Sequence, residues 1–223
     1  MSYRREMNNA LKIYFKPFGF KYSTKCCMFE YPENVDLMHC ISVSDETRFR
    51  PQYFWLRIFV YVQSRFMTSL ISELTGRECA YRGILSFETV PGREDPHVEF
   101  IGERPMEENI VDFSNHMDKF VFPIFEQFKD TQSVINYFLH EKWNNKDVRH
   151  WTGASYIDHY TYPLAYYLAG QNDRCLQQLQ KNREHLEWQA SHPGSMAIDE
   201  LNYFRPFQAN LTKWINDGKV IRI

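Results

Sequence analysis

The stretch Met7-Asn8-Asn9-Ala10-Leu11-Lys12-Ile13-Tyr14-Phe15-Lys16-Pro17-Phe18-Gly19-Phe20-Lys21 decides the fold. Met7, Ala10, Leu11, Tyr14 and Phe15 recur at three and four residues, which gives a helix one apolar face. Pro17 and Gly19 stop that helix. Beyond Gly19 the apolar residues alternate with a period of two, as strands do. Residues 20–31 and 35–44 read as two strands joined at Pro32-Glu33-Asn34, with Val35, Leu37, His39, Ile41 and Val43 on one face of the second. Short links between consecutive alternating runs favour an antiparallel meander over parallel crossovers.

Further along, 53–62 reads as the strongest strand. Its even positions, Phe54, Leu56, Ile58, Val60 and Val62, are all apolar, and its odd positions, Tyr53, Trp55, Arg57, Phe59 and Tyr61, are aromatic around one arginine. Both faces therefore need cover or a partner, as in a central strand. Residues 64–75 suit a short helix ended by Gly76, and 80–90 with 97–101 suit a hairpin across Pro91-Gly92-Arg93-Glu94-Asp95-Pro96.

After about residue 105 the period becomes 3.6. Ile110, Phe113, Met117, Phe120 and Ile124 mark a helix bent or restarted at Pro123, which cannot donate the helical hydrogen bond. Further helices are expected over 131–142, 162–169, 173–189 and 199–216, with Pro163 in a first turn and Gly170 as a stop. The class is α+β: an N-terminal helix, an antiparallel sheet of about five strands, then a helical C-terminal half. A seam at 144–154 suggests a sheet domain over 1–143 and a helical extension over 155–223 packed on it, or a single domain.

Composition bounds the function. The 223 residues are 43% hydrophobic and 24% charged, enough for a sizeable core. A net charge of −2 disfavours a general nucleic-acid binder. The 17% aromatic content is roughly twice ordinary usage, which serves either a thick core or an interface. Five cysteines without a CxxC pair, a charged N-terminus and no apolar run of spanning length lead us to expect a soluble cytoplasmic protein without a membrane segment.

The helix, the Gly19-Phe20-Lys21 turn and the strands after it, with Phe122-Pro123-Ile124-Phe125 ahead of Val134–Leu139, resemble a family of uncharacterised bacterial domains over residues 5–142. The resemblance implies a helix leading into a GFK-type turn and an antiparallel sheet. It transfers no catalytic residue, and it implies an accessory or immunity-type protein that binds another protein. Leu164, Ala165, Tyr167, Gly170 and Cys175 are similar to one tetratricopeptide-type hairpin, but the 34-residue period is absent and plain helix packing is the better reading.

Candidate chemistry is sparse. His140, His150, Asp158 and His159 fall within twenty residues and offer groups for a zinc or general-base site. Their spacing matches no ligand pattern, and structural histidines explain them more simply. His39 on an apolar strand face suits a hydrogen-bonded core residue. Cys26 and Cys27 point to opposite faces of a strand, a poor dithiol. No Walker loop, GxGxxG, GxSxG or EF-hand spacing occurs, and neither a cofactor nor a metal is expected.

Glu94, Asp95, Glu103, Glu107 and Glu108 form an acidic stretch suited to a basic partner, although acids at 107 and 108 also suit a helix N-terminus. Trp55, Arg57 and Tyr61 have the composition of interface anchors. The leading expectation is a non-enzymatic, intracellular protein-binding module of the immunity or antitoxin type. The alternatives are an enzyme with an unfamiliar His/Asp site, such as a metal-assisted hydrolase, and a structural protein that self-associates.

Overall fold

A computed structural model describes residues 2–24, 28–31, 36–46, 53–78, 85–89, 98–140, 148–150, 155–192, 195 and 197–223, with the side chains of 45, 46, 85–89, 148–150 and 155–158 left aside. These residues fall into two compact units. The first comprises 1–63, 85–129 and 144–151; the second comprises 64–84, 130–143 and 152–223.

The first unit opens with α1 (Tyr3–Phe15), which buries Met7, Leu11 and Phe15, one residue per turn of its apolar stripe. A short 3₁₀ turn (Lys16–Phe18) comes next. Gly19 then takes φ 81°, with its N–H donating to the Lys16 carbonyl. This left-handed residue explains the Gly-Phe-Lys motif: a side chain at position 19 would be strained, and the reversal turns Phe20 inward.

Strands β1 (Lys21–Ser23) and β2 (Met28–Tyr31) pair antiparallel, with Tyr22 opposite Phe29. The expected single strand over 20–31 is thus a small hairpin, because a period of two continues unchanged through a reversal. Next come β3 (Leu37–Glu46) and β4 (Tyr53–Ser64). Strands β5 (Leu85–Thr89), β6 (Val98–Ile101) and β7 (Val148–His150) complete a sheet that has seven strands among the described residues.

The sheet order is β1-β2-β3-β4-β5-β7, with β6 also on β4. Strand β5 runs antiparallel to Ile58–Val62, and β6 runs antiparallel to Tyr53–Leu56. The two strands therefore succeed one another along the length of β4 and are not the two arms of a hairpin. Alternation shows which face a side chain takes; it does not show whether the next run turns back or carries on.

One face of β4 is closed. Phe54, Leu56, Ile58, Val60 and Val62 are buried, and Tyr3 of α1 lies 5.6 Å from Phe54, ring to ring. Helix α3 (Met106–His116) also brings Phe113 to this core. Phe15 is its hub, with ring centroids 4.2 Å from Phe29, 5.5 Å from Phe20 and 5.7 Å from Phe113. A buried phenylalanine of this kind is worth about 3–5 kcal/mol against alanine. The helical run continues as a π segment (Met117–Val121) and α4 (Phe122–Gln127). The π segment lies just before Pro123, whose missing N–H breaks the i→i−4 ladder and widens the preceding turn.

The second unit is helical: α2 (Arg65–Thr75), α5 (Thr131–His140), α6 (Ser155–Leu168), α7 (Asn172–Ala190) and α8 (Ala197–Asn216). Ser64 caps α2 by accepting from the Met67 N–H, and it shares a buried 2.8 Å bond with Thr131. The Asn210 side chain donates to the Leu74 carbonyl at 2.8 Å, tying α8 to the end of α2. Pro163 sits inside α6, not in its first turn, and is buried. Helix α6 begins seven residues earlier than the apolar periodicity indicated, so the proline falls mid-helix. Gly170 ends α6 at φ 73° with its N–H on the Tyr167 carbonyl, as expected of a stop. Helices α2 and α5 belong with the C-terminal helices, a division that differs from a single cut at 144–154. Among the described residues no helix is long and apolar enough to cross a membrane.

Candidate functional site

The odd face of β4 carries the aromatic row. Tyr53, Trp55, Arg57, Phe59 and Tyr61 are each half-buried, in contrast to the closed even face. The Tyr53 hydroxyl donates to Glu99, which stands on β6 opposite Trp55. The Tyr53 and Trp55 rings meet edge-on at 6.3 Å, and the Arg57 guanidinium lies 5.2 Å from the Phe59 ring centroid. Arg57 occupies a distinct register position. Leu56 pairs with Val98 on β6 and Ile58 pairs with Thr89 on β5, so Arg57 lies where β4 passes from one neighbouring strand to the other.

Near Tyr61 stands Cys40 of β3, which is buried. Burial pushes the Cys40 thiol up to about 12, with Glu30 adding to the effect. Burial also raises the Tyr61 phenol, and Cys40 raises it further. Cys40 and Cys175 are both buried and free, and thiols held protonated in this way are poor nucleophiles. Cys26 and Cys27 lie outside the described residues.

Past Ile101 the chain turns into an acidic segment. Glu103, Glu107 and Glu108 are exposed, and none forms an ion pair among the described residues. Arg104 between them pairs with Asp112 at 3.2 Å. The segment leaves from the Tyr53 end of the aromatic row, since Ile101 pairs with Tyr53. Glu94 and Asp95 lie outside the described residues.

Asn109, fully buried one turn into α3, anchors this segment. Its Oδ1 accepts from the Ile101 N–H at 3.1 Å, and its Nδ2 donates to the Ile101 carbonyl and the Tyr3 hydroxyl, each at 3.0 Å. One side chain thus satisfies the edge of β6, the start of α3 and a residue of α1.

The histidine candidates do not form a cluster. His140 is exposed at the end of α5 and makes no hydrogen bond, ion pair or ring contact among the described residues. His159 is buried in the helical unit, its ring 5.8 Å from His185 and 6.4 Å from Phe204. Burial, with His185 adding to it, lowers the His159 imidazole to about 4. The side chains of His150 and Asp158 lie outside the described set. Among the described residues, no three His, Cys, Asp or Glu side chains are grouped to hold a metal ion.

A second feature escaped sequence reasoning. A cavity of about 480 Å³ in the first unit is walled by Phe18, Phe20, Tyr31, His39, Phe122 and Phe125, with Glu126 and Lys129 at its edge. The His39 ring stacks on Phe125 at 4.3 Å and an interplanar angle of 12°. Its Nε2 lies 2.8 Å from the Phe128 carbonyl oxygen, which can only accept, so Nε2 carries the proton. Burial lowers the imidazole pKa, the carbonyl bond opposing it in part. His39 is thus the hydrogen-bonded core residue that its strand position suggested, and it is also part of a cavity wall. The traces in sequence were the aromatics flanking Gly19 and Pro123, but nothing local shows that they meet.

No protein-family model, curated protein or solved structure matches this chain.

Proposed function

We propose that this protein is a cytoplasmic, non-enzymatic protein-binding module of the immunity or antitoxin type, acting through the first unit. The observation that supports this most is the half-exposed row Tyr53-Trp55-Arg57 beside the exposed acids Glu103, Glu107 and Glu108, which form no ion pair among the described residues. Trp, Tyr and Arg are the side chains that anchor interfaces, because they bury large area at small entropic cost. Unpaired carboxylates on the rim steer a basic partner during encounter, an effect that salt screens.

The test is capture on the tagged protein at low and high salt, with the triple variant Glu103→Gln, Glu107→Gln, Glu108→Gln run in parallel. The expected result is one stoichiometric partner, released at high salt and bound more slowly by the variant. Capture that neither salt nor the variant changes, or no partner at low salt, would overturn the reading.

A further inference from the structure

We infer that the cavity beside His39 is a binding site for a small, neutral, planar aromatic molecule carrying one N–H or O–H donor, of the indole or phenol class. Three independent features of the wall lead to this ligand. The site lies apart from the acidic segment and does not depend on the partner reading.

The first is shape. Aromatic rings come from the 3₁₀ turn (Phe18), the strand entry (Phe20), β2 (Tyr31) and α4 (Phe122 and Phe125). Phe18 pairs with Phe122 at 5.0 Å and Phe20 with Phe125 at 5.9 Å. The volume lies within the range of small-molecule pockets, and such walls favour flat apolar bodies that stack or meet edge-on.

The second is an unused acceptor. His39 is 8% exposed, and Nε2–H is committed to the Phe128 carbonyl. In the neutral ring Nδ1 is therefore an acceptor, and among the described residues His39 makes no other hydrogen bond. Nδ1 is not one of the fully buried polar atoms, so it is open to water, and a ligand donor can take the place of that water. A ligand N–H or O–H supplies that donor.

The third is charge. Among the described residues the charged groups on the wall are Glu126 and Lys129, which neutralise each other through a 3.0 Å ion pair. A cage for a cation would leave its carboxylate free, and a site for an anion would leave its lysine free. Among the described residues the wall carries neither excess, so a neutral ligand fits it best.

Indole and 1-methylindole separate these features, since they share a ring system and differ in the donor. The readout is the His39 side-chain nitrogen resonances in the full chain during titration. Saturable binding of indole that moves the Nδ1 signal is expected, with 1-methylindole at least about tenfold weaker, as loss of one buried hydrogen bond implies. In His39→Phe, which keeps the stacked ring and removes the acceptor, the preference for indole disappears. The wild-type comparison stands alone if that variant does not fold. Unmoved His39 signals up to the solubility limit of indole would overturn the site. Equal affinity for both probes, or tighter binding of tetramethylammonium than of indole, would overturn the ligand class.

Discussion

Nε2 of His39 and the carbonyl oxygen of Phe128 lie 2.8 Å apart although 89 positions separate the two residues in sequence. The bond ties the first part of β3 to the residue that ends α4, and it sets the imidazole tautomer. Both partners are buried, so removing the donor leaves the carbonyl without it. His39→Phe is expected to lower stability by about 1–3 kcal/mol while keeping the fold, because the stack on Phe125 survives. Urea unfolding at neutral pH measures this. An unchanged midpoint would show that the bond contributes nothing net.

Acid should loosen both units. His116 in the first unit is lowered to about 4 by burial, with Lys119 adding to it, and His159 in the second is lowered to about 4 by burial and His185. Between the ordinary value of 6.5 and about 4 the unfolded chain binds these protons and the folded chain does not. Stability therefore falls as pH drops through that window, by on the order of 3 kcal/mol per histidine when complete. His39, shifted in the same direction, adds to the fall. Denaturation at pH 7 and pH 5, with amide exchange to separate the units, tests the claim. A flat profile would refute it.

Asn109→Leu removes both bonds to Ile101 and the bond to Tyr3 without changing the size of the side chain greatly. The Ile101 N–H then loses this partner at a half-buried edge, while the Ile101 carbonyl keeps the Arg104 N–H at 3.0 Å, so the change should cost about 1–3 kcal/mol. A loss below about 1 kcal/mol would mean that water or another group replaces the amide. Asn109→Gln serves as the control that keeps the chemistry and misplaces it.

Gly76 ends α2 at φ 71°, its N–H bonded to the Ser72 carbonyl, and a Cβ there would meet nothing within 4 Å. The cost of Gly76→Ala is therefore conformational and not steric, about 1 kcal/mol, and Asn should be tolerated better than Ala. Thermal unfolding of the three forms ranks them. Equal melting temperatures would mean that the left-handed cap is not held.

Much of this architecture is readable in residue order. The stripe Met7-Leu11-Phe15, the stop at Gly19 and the apolar even face of β4 are local patterns, and a periodicity reports directly which side of an element is buried. The odd face was readable only as a question, because aromatic side chains suit a core and an interface equally, and the structure leaves Trp55 and Arg57 half-buried. His140 and His159 are close in sequence, yet one is exposed and the other is buried.

Tertiary structure decided the rest. The collinear run of β5 and β6 along β4 depends on the direction of the chain after residue 89, which alternation does not encode. The cavity at His39 joins residues from positions 18 to 129, and Asn109 reaches Tyr3 across 106 positions. A period of 2 or 3.6 is a property of a few neighbouring residues, enforced by backbone geometry. Which distant faces meet is settled by burial and hydrogen bonding summed over the folded chain, so no short stretch carries it.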